Sequence, residues 1–246
     1  MDRMIYLSMS GAKAAMQRQD VLAHNLANAS TTGFREELAA FRAVPVRGDG
    51  ASTRVYSLET TVGYKSDAGA VQPTGRNLDV AMKGNAWLSV QGLDGTEAYT
   101  RAGSLQVNAE GLLVTQSGLQ VLSDSGPITA PTNAELQIAP DGTVSATVPG
   151  GRPQSIGKLK LATPETDNQL SRGADGLFRT ANGDPLQADA NARLQDGVLE
   201  GSNVSPVETM VAMISAARQF EHQMKLIQTS ERQEQTAAKL LSANGG

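Results

Sequence analysis

The side chains equipped for chemistry are few in this chain, and their spacing does not suit it. His24 and His222 are the only histidines among 246 residues. Each falls on a stretch with helical spacing, and neither has a histidine or carboxylate at the offsets of a zinc-binding His-Glu-x-x-His helix. If the two helices pair they could approach one another, but a solvated or interface histidine is the stronger reading than a metal ligand. Glu231 and Glu234 could be imagined as a general acid and base. Three residues apart on a polar stretch, they read better as a solvated face or as polar residues that set helix register. In the middle of the chain Asp-Gly recurs at 94, 141, 175 and 196, without the further carboxylates that a calcium loop needs. Arg47-Gly48-Asp49 is a lone tripeptide in a glycine-rich stretch. There is no cysteine, and no Gly-x-Ser-x-Gly elbow, P-loop or dinucleotide glycine pattern. The expectation is a chain with no catalytic, cofactor or metal site.

Composition narrows the classes further. Lys and Arg number 21 against 25 Asp and Glu, for a net charge of -4, and no basic cluster is available to neutralise phosphates. Apolar residues are 39% and aromatics only 4% of the chain, so any core must rest on Leu, Val, Ile and Ala. The 25 glycines and 10 prolines imply many turns and short strands. The first twenty residues lack the roughly 7–15-residue apolar run of a secretory signal. No stretch approaches the ~18 apolar residues of a membrane span. A role outside the cytoplasm would then call for export without signal cleavage.

Two segments read as helices. From 4 to about 28, Ile5, Met9, Ala12, Met16, Ala23 and Leu26 alternate at spacings of three and four, with Gln19 in the same line. That is an apolar seam of the heptad kind. The helix should stop near Asn28, which tolerates a left-handed conformation, before the breakers Ser30, Thr31, Thr32 and Gly33. From 205 to about 241, Ser205-Pro206-Val207-Glu208 has the marks of a helix start. Met210, Met213, Ala217, Phe220, Met224, Ile227, Ala238 and Leu241 then continue the three-four spacing, interrupted by Glu231 and Glu234. At 1.5 Å per residue this helix is roughly 55 Å long, a coiled-coil length.

Between them lies a β-rich middle. Strands are expected at 87–90, 99–107, 112–115, 119–122, 136–138, 143–148 and 156–161, with the Asp-Gly pairs as turns. Such spacing fits an antiparallel sandwich or barrel. Residues 35–43 could form a short helix. The fold class is α+β: long, paired, coiled-coil-like terminal helices flanking an all-β antiparallel middle. The domains are a terminal helical assembly domain (1–34 plus 205–246), a connector (35–71) and a β-rich middle domain (72–204).

AHNLANASTTGF at 23–34 resembles the N-terminal motif of the flagellar rod and hook axial protein family. LDVAMKGNAWLSV at 78–90 and YTRAGSLQVNAEGLLVTQSGLQVL at 99–122 are similar to its central β motifs, and 199–224, headed by LEGSNVSPVETM, to its C-terminal segment. MDRMIY at the start, residues 34–46 and Trp87-Leu88 resemble the proximal-rod branch, the alternative being the distal-rod branch. The resemblance implies a structural subunit of the flagellar basal-body rod, with no catalytic role. It implies export through the flagellar type III apparatus, placement in the periplasm-spanning rod, and a part in motility. The implied partners are further copies, neighbouring proximal-rod subunits and distal-rod subunits, with no nucleic acid, small-molecule substrate or membrane insertion. The implied assembly interface is Ile5, Met9, Ala12, Met16, Asn25, Leu26, Asn28, Gly33, Phe34, Met210, Met213, Ala217, Phe220, Met224 and Ile227. Read alone, Asn25, Asn28 and Gly33-Phe34 are better taken as a helix stop followed by a core aromatic; the accompanying motifs turn the reading toward docking between the terminal helix and a neighbouring subunit. A reading of another class is a secreted β-domain adhesin or glycan-binding module with helical oligomerisation ends, although its usual exposed aromatics are scarce here.

Overall fold

A computed structural model describes residues 2–45, 55–165 and 168–243. The architecture is α+β, with a helix at each end and strands between. Helix α1, Asp2–Ala27, has 26 residues, and helix α2, Pro206–Ala243, has 38. Neither is long and apolar enough to cross a membrane. The alanine content of α1 and the absence of proline within it favour the helical state. Pro206 opens α2, where its missing N–H has no partner to lose, and Thr209 N–H donates to the Ser205 carbonyl at 3.0 Å. After α1 the chain turns, with Thr31 N–H donating to the Asn28 carbonyl at 3.1 Å. The left-handed residue of this exit is Gly33, φ 70°, and not Asn28.

Residues 35–43 are not helical. β1, Glu37–Pro45, pairs with β2, Val55–Tyr64. Helix propensity in Glu-Leu-Ala-Ala is only a few tenths of a kcal/mol per residue, and a ladder to the β-branched run of β2 overrides it. The Arg47-Gly48-Asp49 tripeptide lies outside the described residues.

The chain divides into two compact units. The terminal unit comprises Met1–Ala27, Glu37–Gly63 and Ser205–Gly246, and the β unit comprises Asn28–Glu36 and Tyr64–Val204. In the β unit a five-stranded antiparallel sheet runs Leu161–Ala162, Trp87–Gln91, Glu97–Thr100, Phe178–Thr180, Leu170–Arg172 in spatial order. A three-stranded sheet, Glu135–Ile138, Thr143–Thr147 and Gln154–Lys158, and several two-stranded ribbons complete it, in place of two broad facing sheets. The period of two along Trp87-Leu88-Ser89-Val90 sends side chains to both faces. Leu88 and Val90 join a large aliphatic core with Val80, Leu105, Val121, Ile138 and Leu194. Trp87 joins a smaller aromatic one with Tyr99, Phe178 and Leu186. Trp87 and Phe178 lie 4.6 Å apart between ring centroids, and Tyr64 packs edge-on to both. Burial raises the Tyr99 hydroxyl pKa, and its oxygen accepts the Leu186 N–H at 2.5 Å. The Asp-Gly pairs at 94, 141, 175 and 196 carry positive φ at glycine.

The expected single strand over 99–107 is broken. Glu97–Thr100 and Leu105–Val107 pair in different sheets, because Arg101 leaves the ladder for buried partners. A Cβ on Gly103 would also lie 1.7 Å from the Val80 carbonyl oxygen.

Candidate assembly interface

In the terminal unit α1 packs against α2. On α1 the inward line is Ser8, Ala12 and Ala15, all buried, continued by half-buried Ile5, Gln19, Leu22 and Leu26. On α2 it is Thr209, Ala216 and Ser230, buried, interleaved with half-buried Met213, Phe220, Gln223, Ile227 and Glu234. Both lines keep the three-four alternation, but every second position stands one residue earlier than the apolar pattern predicted. Ser8, Ala15 and Leu22 replace Met9, Met16 and Ala23, while Thr209, Ala216, Gln223 and Ser230 replace Met210, Ala217, Met224 and Glu231. At Ser8, Ala15, Thr209 and Ser230 the physical reason is size, the inward residue being the smaller of the two, and Leu22, Ala216 and Gln223 keep the same register. Small inward residues let the helix axes approach closely, as at Gly11, where an added Cβ would lie 2.9 Å from the Gln223 side chain. The side chains of Ala238 and Leu241 lie outside the described residues.

The displaced apolar residues face outward. Met9 and Met16 are 53% and 54% exposed, and Tyr6 is exposed beside them. On α2, Val207, Met210, Val211, Ile214 and Met224 are exposed as well, and Ala217 is half-buried. Isolated surface apolar side chains are ordinary; here Tyr6 and Met9 on α1, and Val207, Met210, Val211 and Ile214 on α2, are exposed within one or two turns of each other.

Asn25 is 1% exposed, and its carboxamide acts as a short strand. Its Nδ2 donates to the Glu37 carbonyl and its Oδ1 accepts the Glu37 N–H, both at 2.9 Å. His24 Nδ1 lies 2.8 Å from a Glu37 carboxylate oxygen. One residue of β1 is thus held at its backbone and its side chain by two neighbours on α1. Among the described residues no group of three or more His, Asp or Glu is placed to hold a metal.

In the β unit, Gly33 and Phe34 are buried and Asn28 half-buried. A Cβ on Gly33 would lie 2.2 Å from the Arg101 carbonyl carbon, so glycine is required by space as well as by φ. The Arg172 guanidinium sits 4.3 Å over the Phe34 ring. Beside them is an ionic knot that sequence spacing does not reveal. Glu200 accepts Arg35 on one carboxylate oxygen and Arg101 on the other, each at 2.7 Å, with all three side chains at most 2% exposed. Gly69 N–H adds a bond to the first oxygen at 3.1 Å, and Arg101 Nε a bond to the second at 3.0 Å. Arg101 spends its remaining donors on the carbonyls of Met82, Gly84 and Ala86, so all five N–H groups are used. Burial lowers the Arg35 pKa against the opposing pull of Glu200. Asn203 adds a neutral clamp. It accepts the Glu36 N–H at 2.6 Å and donates to the carbonyls of Lys65 and Asp67 at 3.0 and 2.9 Å. The one available sequence signal was parity: Glu200 shares the inward side of its strand with buried Val198.

Three family models match the chain in order. They are a flagella basal body rod protein model over residues 5–35, a flagellar hook protein FlgE/F/G D1 domain over 81–146, and a flagellar basal body rod FlgEFG protein C-terminal model over 195–240. The flagellar basal-body rod protein FlgF of Salmonella typhimurium is 46% identical over 251 residues, covering 98% of this chain and 99% of that protein. FlgF of Escherichia coli is 45% identical over the same length and coverage. FlgG of Bacillus subtilis is 31% identical over 252 residues, covering 93% of this chain and 95% of that protein. Rod and hook models in sequence order, and whole-length similarity that is stronger to FlgF than to this FlgG, establish that the chain belongs to the flagellar basal-body rod protein family and is FlgF-like.

Proposed function

We propose that this chain is a structural, non-enzymatic subunit of the proximal flagellar rod, placed in the periplasm-crossing part of the basal body. Its α1 and α2 pair in coiled-coil fashion to form an assembly module, and their outward stripes dock on neighbouring subunits. Those neighbours are further copies, other proximal-rod subunits and the distal-rod protein FlgG, and the joined column carries torque for motility. One observation carries the reading: Tyr6, Met9 and Met16 on α1, and Val207, Met210, Val211 and Ile214 on α2, stand exposed on helices whose inward lines are already occupied. Burying such a surface is favourable at about 25 cal/mol per Å². A head-to-tail contact that does not close on itself gives a helical polymer.

The test uses Met9→Glu and Ile214→Glu. The purified full chain should scatter light increasingly with concentration and form rings or filaments in negative stain. The charged variant should stay monomeric with an unchanged far-UV spectrum, and should fail to restore motility to cells lacking the native subunit. Wild-type assembly by the charged variant would overturn the proposal.

A further inference from the structure

The outward stripes are unusual in what they are made of. Met9, Met16, Met210 and Met224 are exposed, Met224 least at 37%, whereas Met82 is 4% exposed inside the β unit. The sequence has no cysteine, so every oxidisable sulfur in the chain belongs to a methionine. We propose that these four thioethers are a modification site at which peroxides switch off assembly of the free subunit. This rests on the assembly reading above.

The chemistry needs a peroxide and nothing else. A sulfur lone pair attacks one peroxide oxygen, the O–O bond breaks, and the second oxygen leaves as water or alcohol carrying the proton. The sulfur gives up two electrons, the peroxide accepts them, and the product is methionine sulfoxide. Each sulfoxide replaces an apolar, adaptable side chain with a strongly polar one. On a solvated stripe that change is harmless to the monomer. In a contact that excludes water the S=O group needs a donor, and apolar stripes supply none. Of the inward residues named above only Met213 carries a sulfur, and it is half-buried, so the helix pairing presents peroxide with a single, partly shielded target.

The experiment treats the unassembled full chain with hydrogen peroxide and maps the one-oxygen mass gain by peptide mass spectrometry. Met9, Met16, Met210 and Met224 should react at least about tenfold faster than Met82. Assembly should fall in step with their oxidation, and methionine sulfoxide reductases with a thiol should restore it. Trp87 emission and the unfolding temperature should not move. A variant with all four replaced by leucine should assemble and remain indifferent to peroxide. The proposal is overturned if Met82 reacts as fast, if the oxidised chain assembles normally, or if the leucine variant loses assembly on treatment. Untreated wild-type chain that never assembles would instead refute the underlying assembly reading.

Discussion

Replacing Glu200 with Gln tests the ionic knot most directly. The substitution preserves shape and one acceptor oxygen but removes the carboxylate that Arg35 and Arg101 share, all within a site at most 2% exposed. Breaking a buried ion pair on one side strands uncompensated charge and costs about 3–5 kcal/mol. Arg101 retains the carbonyls of Met82, Gly84 and Ala86, and Arg35 that of Asp67, so the lower half of that range applies, about 3–4 kcal/mol. For a β unit of about 150 residues, 1 kcal/mol moves Tm by roughly 2–4 °C, so the expected fall is roughly 6–16 °C. Trp87 is the chain's only tryptophan and lies in this unit, so its emission in urea and heat reports the right transition. A second substitution, Arg35→Met, removes one stranded cation and should recover part of the loss. If Glu200→Gln stays within about 1 kcal/mol of wild type, or if the double variant is less stable than the single, the electrostatic account is wrong.

Two further outcomes follow from neighbouring features. Asn25→Ala strips both partners from the Glu37 backbone and should cost about 2 kcal/mol; hydrogen exchange should show the Glu37 amide opening sooner, and unchanged exchange would refute the pairing. The carboxyls of Asp94, Asp141 and Asp189 are held below the ordinary 3.8 chiefly by hydrogen bonds from Thr96, Thr143 and Thr163, and that of Asp175 by Arg179. Their folded-state values lie below the unfolded one, so they stabilise the fold above about pH 4, and that contribution disappears as pH falls through the lowered values. The unfolding temperature should therefore fall as pH drops below about 4, and fall less in Asp175→Asn; a flat profile would contradict the assignment.

How legible each part was in the sequence depends on whether its cause is local. Both helices could be read because spacing and end signals are local, as at Pro206. The turns could be read because Asp-Gly states its own backbone conformation. The phase of the helical seam is not legible in hydrophobicity, which ranks Met9 above Ser8 and Met16 above Ala15, whereas close approach of two helices selects the smaller residue there. The hairpin of β1 and β2 is hidden from local pattern, since its cause lies in the partner strand and in Asn25, twelve residues before Glu37. Arg35, Arg101 and Glu200 are separated by up to 165 residues, and no local pattern tells that three charges so distant will neutralise one another. The apolar middle announced a core, but not that Arg101 would break a strand to enter it.

The unequal lengths of α1 and α2 have a mechanical corollary. At 1.5 Å per residue, 26 and 38 residues make struts of about 39 and 57 Å. Two such struts cannot finish flush at both ends, and some 18 Å of the longer one must project past its companion. If copies stack along that direction as proposed, such a projection offers the next member a surface to overlap, as in a lap splice. Seams staggered in that way would leave no single plane of shear common to all members.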